Sequence, residues 1–151
     1  MSESISEGYS KVYNQAVKYL GLRSHTIFEL KTKLERKRFS KDLISDVIND
    51  LQKQKYLNDK DFALTFTQNL IKYKTFGFYG IKNKLKQRGL ADQLAEEILN
   101  EELDADGEKK LAQKAIGKSF KKEKIKLMQM LQRKGFRMQA IHAAVGDYDE
   151  E

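Results

Sequence analysis

Three short stretches place residue types that could do chemistry at suggestive spacings. "AIGKS", Ala115 to Ser119, ends like a phosphate-binding loop, in which backbone N–H groups wrap a phosphate and the lysine neutralises it. The glycine required five positions before Gly117 is Ala112, and the segment reads as helix with no strand before it, so a nucleotide site is not expected. "ELDADG" sets Glu102, Asp104 and Asp106 at the first, third and fifth positions of a calcium loop with Gly107 at the turn. The twelfth position, which should close the shell with a bidentate carboxylate, is Gln113, and an acidic linker between repeats explains the stretch better. "GFYG", Gly77 to Gly80, has the Gly-x-x-Gly spacing of a KH-type nucleic-acid clamp. Its middle pair, Phe78 and Tyr79, is bulky where such loops are small or basic, and no three-stranded sheet is readable, which favours a flexible helix-to-helix joint.

His25 and His142 are the only histidines, and neither has an acid or nucleophile at a telling spacing. A helix end for the first and a partly exposed helix position for the second are expected. With no cysteine, disulfides, thiolate metal sites and cysteine nucleophiles are excluded, and a reducing, cytoplasmic setting is the default. The sequence thus nominates no catalytic residue, no cofactor site and no metal site. No run of 18 apolar residues occurs and the first residues do not read as an export signal, so no membrane partner is expected.

Charge is the informative chemistry. The 151 residues carry 29 Lys and Arg against 22 Asp and Glu, a net charge of +7 that favours a polyanionic partner. The charges are also segregated. Phe62 to Ala91 contains six bases and no acid, Asp92 to Glu108 eight acids and no base, and Lys109 to Arg137 eleven bases and the single acid Glu123. Within the first block, Lys82 with Lys86 and Lys84 with Arg88 are like-charged i,i+4 pairs flanking Ile81 and Leu85, an arrangement that repels within an isolated helix and that something anionic would relieve. Solvated helix faces are the alternative explanation.

These residues must be positioned by helices. There is no proline, 40% of residues are apolar and 34% charged, and no segment alternates as a half-buried strand does. Tyr9, Val12, Tyr13, Ala16, Val17 and Leu20 predict a helix over 8–22. Ser24 or Thr26 can cap the next, and Thr26 with Glu29 has capping-box spacing. Ser40 opens a third, with Phe39 and Ile44 at staple positions.

The pattern returns twice. Leu30, Leu34, Phe39, Leu43, Ile44, Val47 and Ile48 shift by 51 residues onto Ile81, Leu85, Leu90, Leu94, Ala95, Ile98 and Leu99, and by a further 46 onto Leu127, Leu131, Phe136, Ala140, Ile141, Ala144 and Val145. Each joint reads "RKR", "QRG" or "RKG", with Lys37, Arg88 or Lys134 in the middle and Gly89 and Gly135 where a left-handed C-cap is expected. Further helical segments precede each pair, over 8–22, 59–73 and 108–120. The expectation is one all-α domain of three tandem three-helix repeats, at about 8–57, 58–103 and 108–146, with an acidic tail at 147–151.

The runs Ala16 to Asp59 and Tyr56 to Leu90 resemble the RecX family, regulators of the RecA recombinase. The resemblance rests on "YLND" at Tyr56 to Asp59, on Phe62, Ala63 and Phe66, on Gly77 and Gly80, on Ile81 and Leu85, and on the Arg88 to Leu90 joint, in that order and spacing. Arg38 at a joint usually filled by glycine, and Lys72 and Lys74 where arginine is frequent, depart from it. The resemblance implies an elongated, curved array of repeats. It also implies a monomeric, non-enzymatic protein that lies in the groove of the RecA–DNA filament and inhibits its ATPase, strand-exchange and coprotease activities in DNA repair and the SOS response. Single- or double-stranded DNA is then met directly or through the filament. The contact residues expected are Lys72, Lys74, Tyr79, Lys82, Lys86 and Arg88 in the second repeat, with Lys121, Lys122, Lys124, Arg133 and Lys134 in the third. The competing reading is a basic helical DNA-binding module that acts without the recombinase.

If Arg38 adopts the left-handed conformation of its glycine counterparts, it costs on the order of 1 kcal/mol. Arg38→Gly is therefore expected to raise the melting temperature, and a lower one would refute that joint geometry.

Overall fold

The computed structural model describes residues 2–117 and 123–146, and the side chains from Glu7 onward. Among the described residues the regular structure is entirely helical: α1 Ser2–Leu22, α2 Ile27–Arg36, α3 Lys41–Lys53, α4 Asp59–Tyr73, α5 Phe78–Gln87, α6 Asp92–Glu102, α7 Ala105–Gly117, α8 Lys124–Arg133 and α9 Met138–Gly146. The acidic tail falls outside the described residues, as do 118–120 of the predicted seventh helix. The chain divides into two compact units, Met1–Phe62 with Arg88–Leu90, and Ala63–Gln87 with Ala91–Glu151.

In the first unit α1, α2 and α3 pack pairwise around Val12, Ala16, Leu30, Leu34, Ile44, Val47, Leu51 and Leu57. In the second, α5 packs on α6, and α7 on α8 and α9. The repeated apolar positions are buried except Phe39, Leu43 and Leu94, which are half-buried. Val17 is the exception on α1: it is 45% exposed, off the face that Val12 and Ala16 bury. The helix starts follow the sequence. Thr26 and Glu29 form the reciprocal capping box, and Ser40 accepts from the Leu43 N–H. Arg38, Gly89 and Gly135 all have positive φ, at 64°, 85° and 82°. So does Lys55, at 63°, which closes α3 with the Tyr56 N–H on the Leu51 carbonyl.

Two expectations change. The acidic "ELDADG" stretch is a helix start: Asp104 accepts from the Gly107 N–H at 2.7 Å, so α7 begins at Ala105 and carries Glu108 into its first turn. The "GFYG" stretch is not a flexible joint. A Cβ on Gly77 would lie 2.2 Å from Phe136 Cα, and one on Gly80 would lie 2.3 Å from the Lys134 carbonyl oxygen. The glycines are there because the joint after α8 presses backbone to backbone on the start of α5.

The first turn of any helix exposes N–H groups with no partner inside the helix. At α5 they are met from the third repeat. Gly77 N–H donates to the Lys134 carbonyl at 3.0 Å and Tyr79 N–H to that of Gly135 at 2.8 Å. Phe78 N–H donates to the Glu108 carboxylate at 2.9 Å. Glu108 is 1% exposed and also accepts from the Arg137 N–H at 2.9 Å and its guanidinium at 2.6 Å. Within the first unit the start of α2 is served in the same way. Ile27 N–H donates to Asp59 at 2.8 Å, and the Thr26 hydroxyl donates to the Arg88 carbonyl at 2.6 Å. Gly89 there abuts Phe28, which a Cβ would meet at 2.4 Å.

Glu29 completes that junction. Its carboxylate meets the Arg88 guanidinium at 2.8 Å and Arg23 at 3.3 Å. Burial alone would raise its pKa, but the Arg88 hydrogen bond, the Thr26 N–H and Arg23 outweigh burial and bring it from 4.5 down to about 2.

Removing the Glu108 carboxylate leaves the buried Phe78 N–H, the part-buried Arg137 N–H and the Arg137 Nε without their acceptor. Glu108→Ala should therefore lower the unfolding free energy by about 3–5 kcal/mol in urea melts, and Glu108→Gln, which keeps an acceptor, by less. For Glu29 the folded pKa lies below the unfolded one, so the unfolded chain takes up the proton first as acid is added. Its contribution is complete above pH 4.5 and is lost as pH falls toward about 2. The stability gap between the parent and Glu29→Gln should close over that interval.

Candidate partner-binding surface

The acid-free block Phe62 to Ala91 runs from the first turn of α4 through α5 to the joint after it. Its bases do not share one environment. Lys72 and Lys74, at the end of α4 and just beyond it, are exposed, and the Lys72 ammonium lies 5.2 Å from the Tyr73 ring centre. Tyr73 and Tyr79 are themselves 65% and 56% exposed.

Lys82 and Lys86 have internal partners. Asp92 lies 3.3 Å from both ammonium groups, and Glu96 lies 2.8 Å from that of Lys82. Glu96 and then Asp92 hold the Lys82 pKa above its usual value, while Lys82 and then Lys86 hold that of Asp92 below. The repulsion expected between Lys82 and Lys86 is thus relieved by the first acids of the next block. Arg88 is bound to Glu29 and lies 5.0 Å from the Phe62 ring centre.

Lys84 was not singled out as a contact from sequence. Its ammonium sits 4.5 Å from the centre of the half-buried Phe76 ring, and the Lys134 ammonium lies 5.5 Å from the same ring. Lys134 also donates to the Thr75 hydroxyl at 3.1 Å. No carboxylate among the described residues lies within ion-pair distance of either ammonium. The signal in the sequence was faint: Phe76 and Lys84 are eight residues apart, and only the docking of the third joint brings Lys134 to them. In the third repeat Lys124 and Arg133 are exposed, and Lys121 and Lys122 lie outside the described residues.

The histidines carry no site. His142 is exposed. His25 is only 3% exposed, donating from Nδ1 to the Arg23 carbonyl at 2.9 Å and accepting at Nε2 from Lys33 at 2.8 Å. Burial, and then the charges of Arg23 and Lys33, push its pKa down against that carbonyl and Glu29, so it stays neutral. Among the described residues no cluster of acids and histidines could hold a metal ion, and no helix is long and apolar enough to cross a membrane. Lys118 and Ser119 of the loop-like "AIGKS" fall outside the described residues, and its Gly117 ends α7.

Known proteins share this architecture. A model of the first three-helix domain of RecX matches residues 13–51, and one of the third matches residues 100–145. The regulatory protein RecX of Prosthecochloris aestuarii is 37% identical over 91 residues, 60% of either chain. That of Bacillus thuringiensis is 29% identical over 156 residues, covering 97% of this chain and 57% of its own. This chain therefore spans less than two thirds of the length of these relatives. The crystal structure of RecX from Lactobacillus salivarius superposes with a TM-score of 0.87 at 26% identity, over 94% of this chain and 97% of that one. A further crystal structure of a regulatory protein RecX gives 0.85 at 20% identity and shows the same fold. Domain models that fall in their proper order over more than half of the sequence, joined to a near-complete superposition, make this chain a member of the RecX family.

Proposed function

We propose that the protein binds the RecA recombinase filament on DNA and restrains it, without catalysing a reaction itself, in the cytoplasm of its cell. The observation that carries this reading is the acid-free Phe62 to Ala91 block in a chain of the RecX family. A surface of that sign suits a partner that is itself a protein coat on a polyanion. Bases distributed over the second and third repeats would bind more than one recombinase subunit and the DNA they hold. A ligand that prefers one subunit arrangement stabilises it against the others. ATP turnover, strand exchange and coprotease activity would slow together, because each needs those arrangements to interconvert.

Within this surface, the exposed Lys72, Lys74, Tyr79 and Arg133 are available without rearrangement. Lys82, Lys86 and Arg88 must first leave Asp92, Glu96 and Glu29. Charge reversal at those three would also damage the fold, so Lys72 and Lys74 make the cleaner test. The protein should suppress single-stranded-DNA-dependent ATP hydrolysis by its host's recombinase at substoichiometric ratios. Lys72→Glu with Lys74→Glu should raise the concentration for half-suppression about tenfold at unchanged melting temperature. Undiminished hydrolysis with the parent would overturn the reading, and unaltered suppression by the double variant would remove this part of the surface.

A further inference from the structure

The two junctions can be compared position by position, because the repeats are related by shifts of 51 and 46 residues. In the first unit three cations gather near the start of α2, Arg23, Lys33 and Arg88; of the two carboxylates there, Asp59 accepts from the Ile27 N–H and Glu29 pairs with the cations. Glu29 pairs with Arg88 at 2.8 Å and Arg23 at 3.3 Å, while Lys33 is held by His25 at 2.8 Å. The counterparts at the start of α5 are Lys74, Lys84 and Lys134, with Phe76 in place of His25. The counterpart of Glu29 is Gly80.

All three positive charges are kept at the second junction and the negative charge of Glu29 is gone. Packing forbids its return, since any side chain on Gly80 would strike the Lys134 carbonyl oxygen. Lys84 and Lys134 instead share the Phe76 ring, at 4.5 and 5.5 Å from its centre. A ring attracts a cation through its quadrupole but does not neutralise it, so two ammonium groups remain beside one ring with no carboxylate among the described residues at ion-pair distance.

We infer that Lys74, Lys84 and Lys134 around Phe76 form a seat for a backbone phosphate of single-stranded nucleic acid, which supplies the negative charge that Glu29 supplies in the first repeat. A phosphodiester fits better than an acidic peptide because the anion site comes with aromatic surface. Phe76, just before α5, is half-buried and Tyr79, in the first turn of α5, is 56% exposed, and stacking of bases on such rings accompanies phosphate contacts in single-strand binding. The inference rests on the proposed engagement of a DNA-bearing filament.

The test is fluorescence anisotropy of a labelled oligothymidylate over a salt series, with Lys74→Gln/Lys84→Gln/Lys134→Gln beside Lys37→Gln/Lys41→Gln/Lys53→Gln. Both triple variants lose the same net charge, and the second set lies on exposed positions of the first unit. The seat variant should bind at least about tenfold more weakly. Its log–log salt dependence should become shallower by about 0.7, the slope for one phosphate contact to a single strand. The control should change little. Because Lys134 also holds Thr75, Lys84→Gln alone is measured too, and should show a smaller loss in the same direction. Equal weakening in both triple variants, or an unchanged affinity and slope in the seat variant, overturns the inference. So does intact oligonucleotide binding with lost suppression of the recombinase, which would assign the cations to an acidic segment of the protein partner. Selective loss of oligonucleotide binding supports the seat even where the parent leaves ATP hydrolysis untouched, a result that would refute the regulatory reading alone.

Discussion

The buried carboxylate of Glu108 is the interaction on which the second unit depends. It accepts from the Phe78 N–H, the Arg137 N–H and the Arg137 guanidinium, so one side chain ties the starts of α5 and α7 to the chain entering α9. A helix start packed away from water must find acceptors for its free N–H groups, or it carries a penalty at each. Here the following repeat supplies them, through an acid from its first helix and carbonyls from its joint. Asp59 and Arg88 do the equivalent at α2. Successive repeats are thus held by directional hydrogen bonds as well as apolar contact.

That arrangement explains the glycine pattern. Gly89 and Gly135 need their left-handed conformation to end a helix, and they also lack the side chain that would strike Phe28 or Gly80. Arg38 takes the same φ with a long side chain, which is exposed. Gly77 and Gly80 have the complementary duty on the receiving helix. A backbone that must lie against another backbone tolerates no Cβ between them.

The charge blocks take on a different meaning once folded. Asp92 and Glu96, at the head of the acidic block, neutralise Lys82 and Lys86 of the basic one, and Glu29 from far upstream neutralises Arg88. Segregation along the chain is therefore partly cancelled in space. Among the described residues, Lys72, Lys74, Lys84, Arg133 and Lys134 have no carboxylate at ion-pair distance, a more discontinuous set than the sequence suggests.

The sequence by itself determined the helices, their caps and the threefold repetition. Those depend on side chains within a few residues of one another: Thr26 with Glu29, Ser40 before Leu43, and apolar residues three and four apart. The RecX resemblance was legible for the same reason, since turns and joints such as "YLND" and the Arg88 to Leu90 segment are local and ordered along the chain. Only the tertiary structure decided that Glu108 is a buried anchor and not linker acid, that Gly77 and Gly80 are packing contacts and not a flexible joint, and which lysines keep their charge unmatched. Those outcomes depend on partners 6 to 59 residues away, from Asp92 for Lys86 to Glu29 for Arg88. A residue type announces that it is charged or small. Whether its neighbour in space is a carboxylate, a ring or a backbone carbonyl is settled when the helices pack.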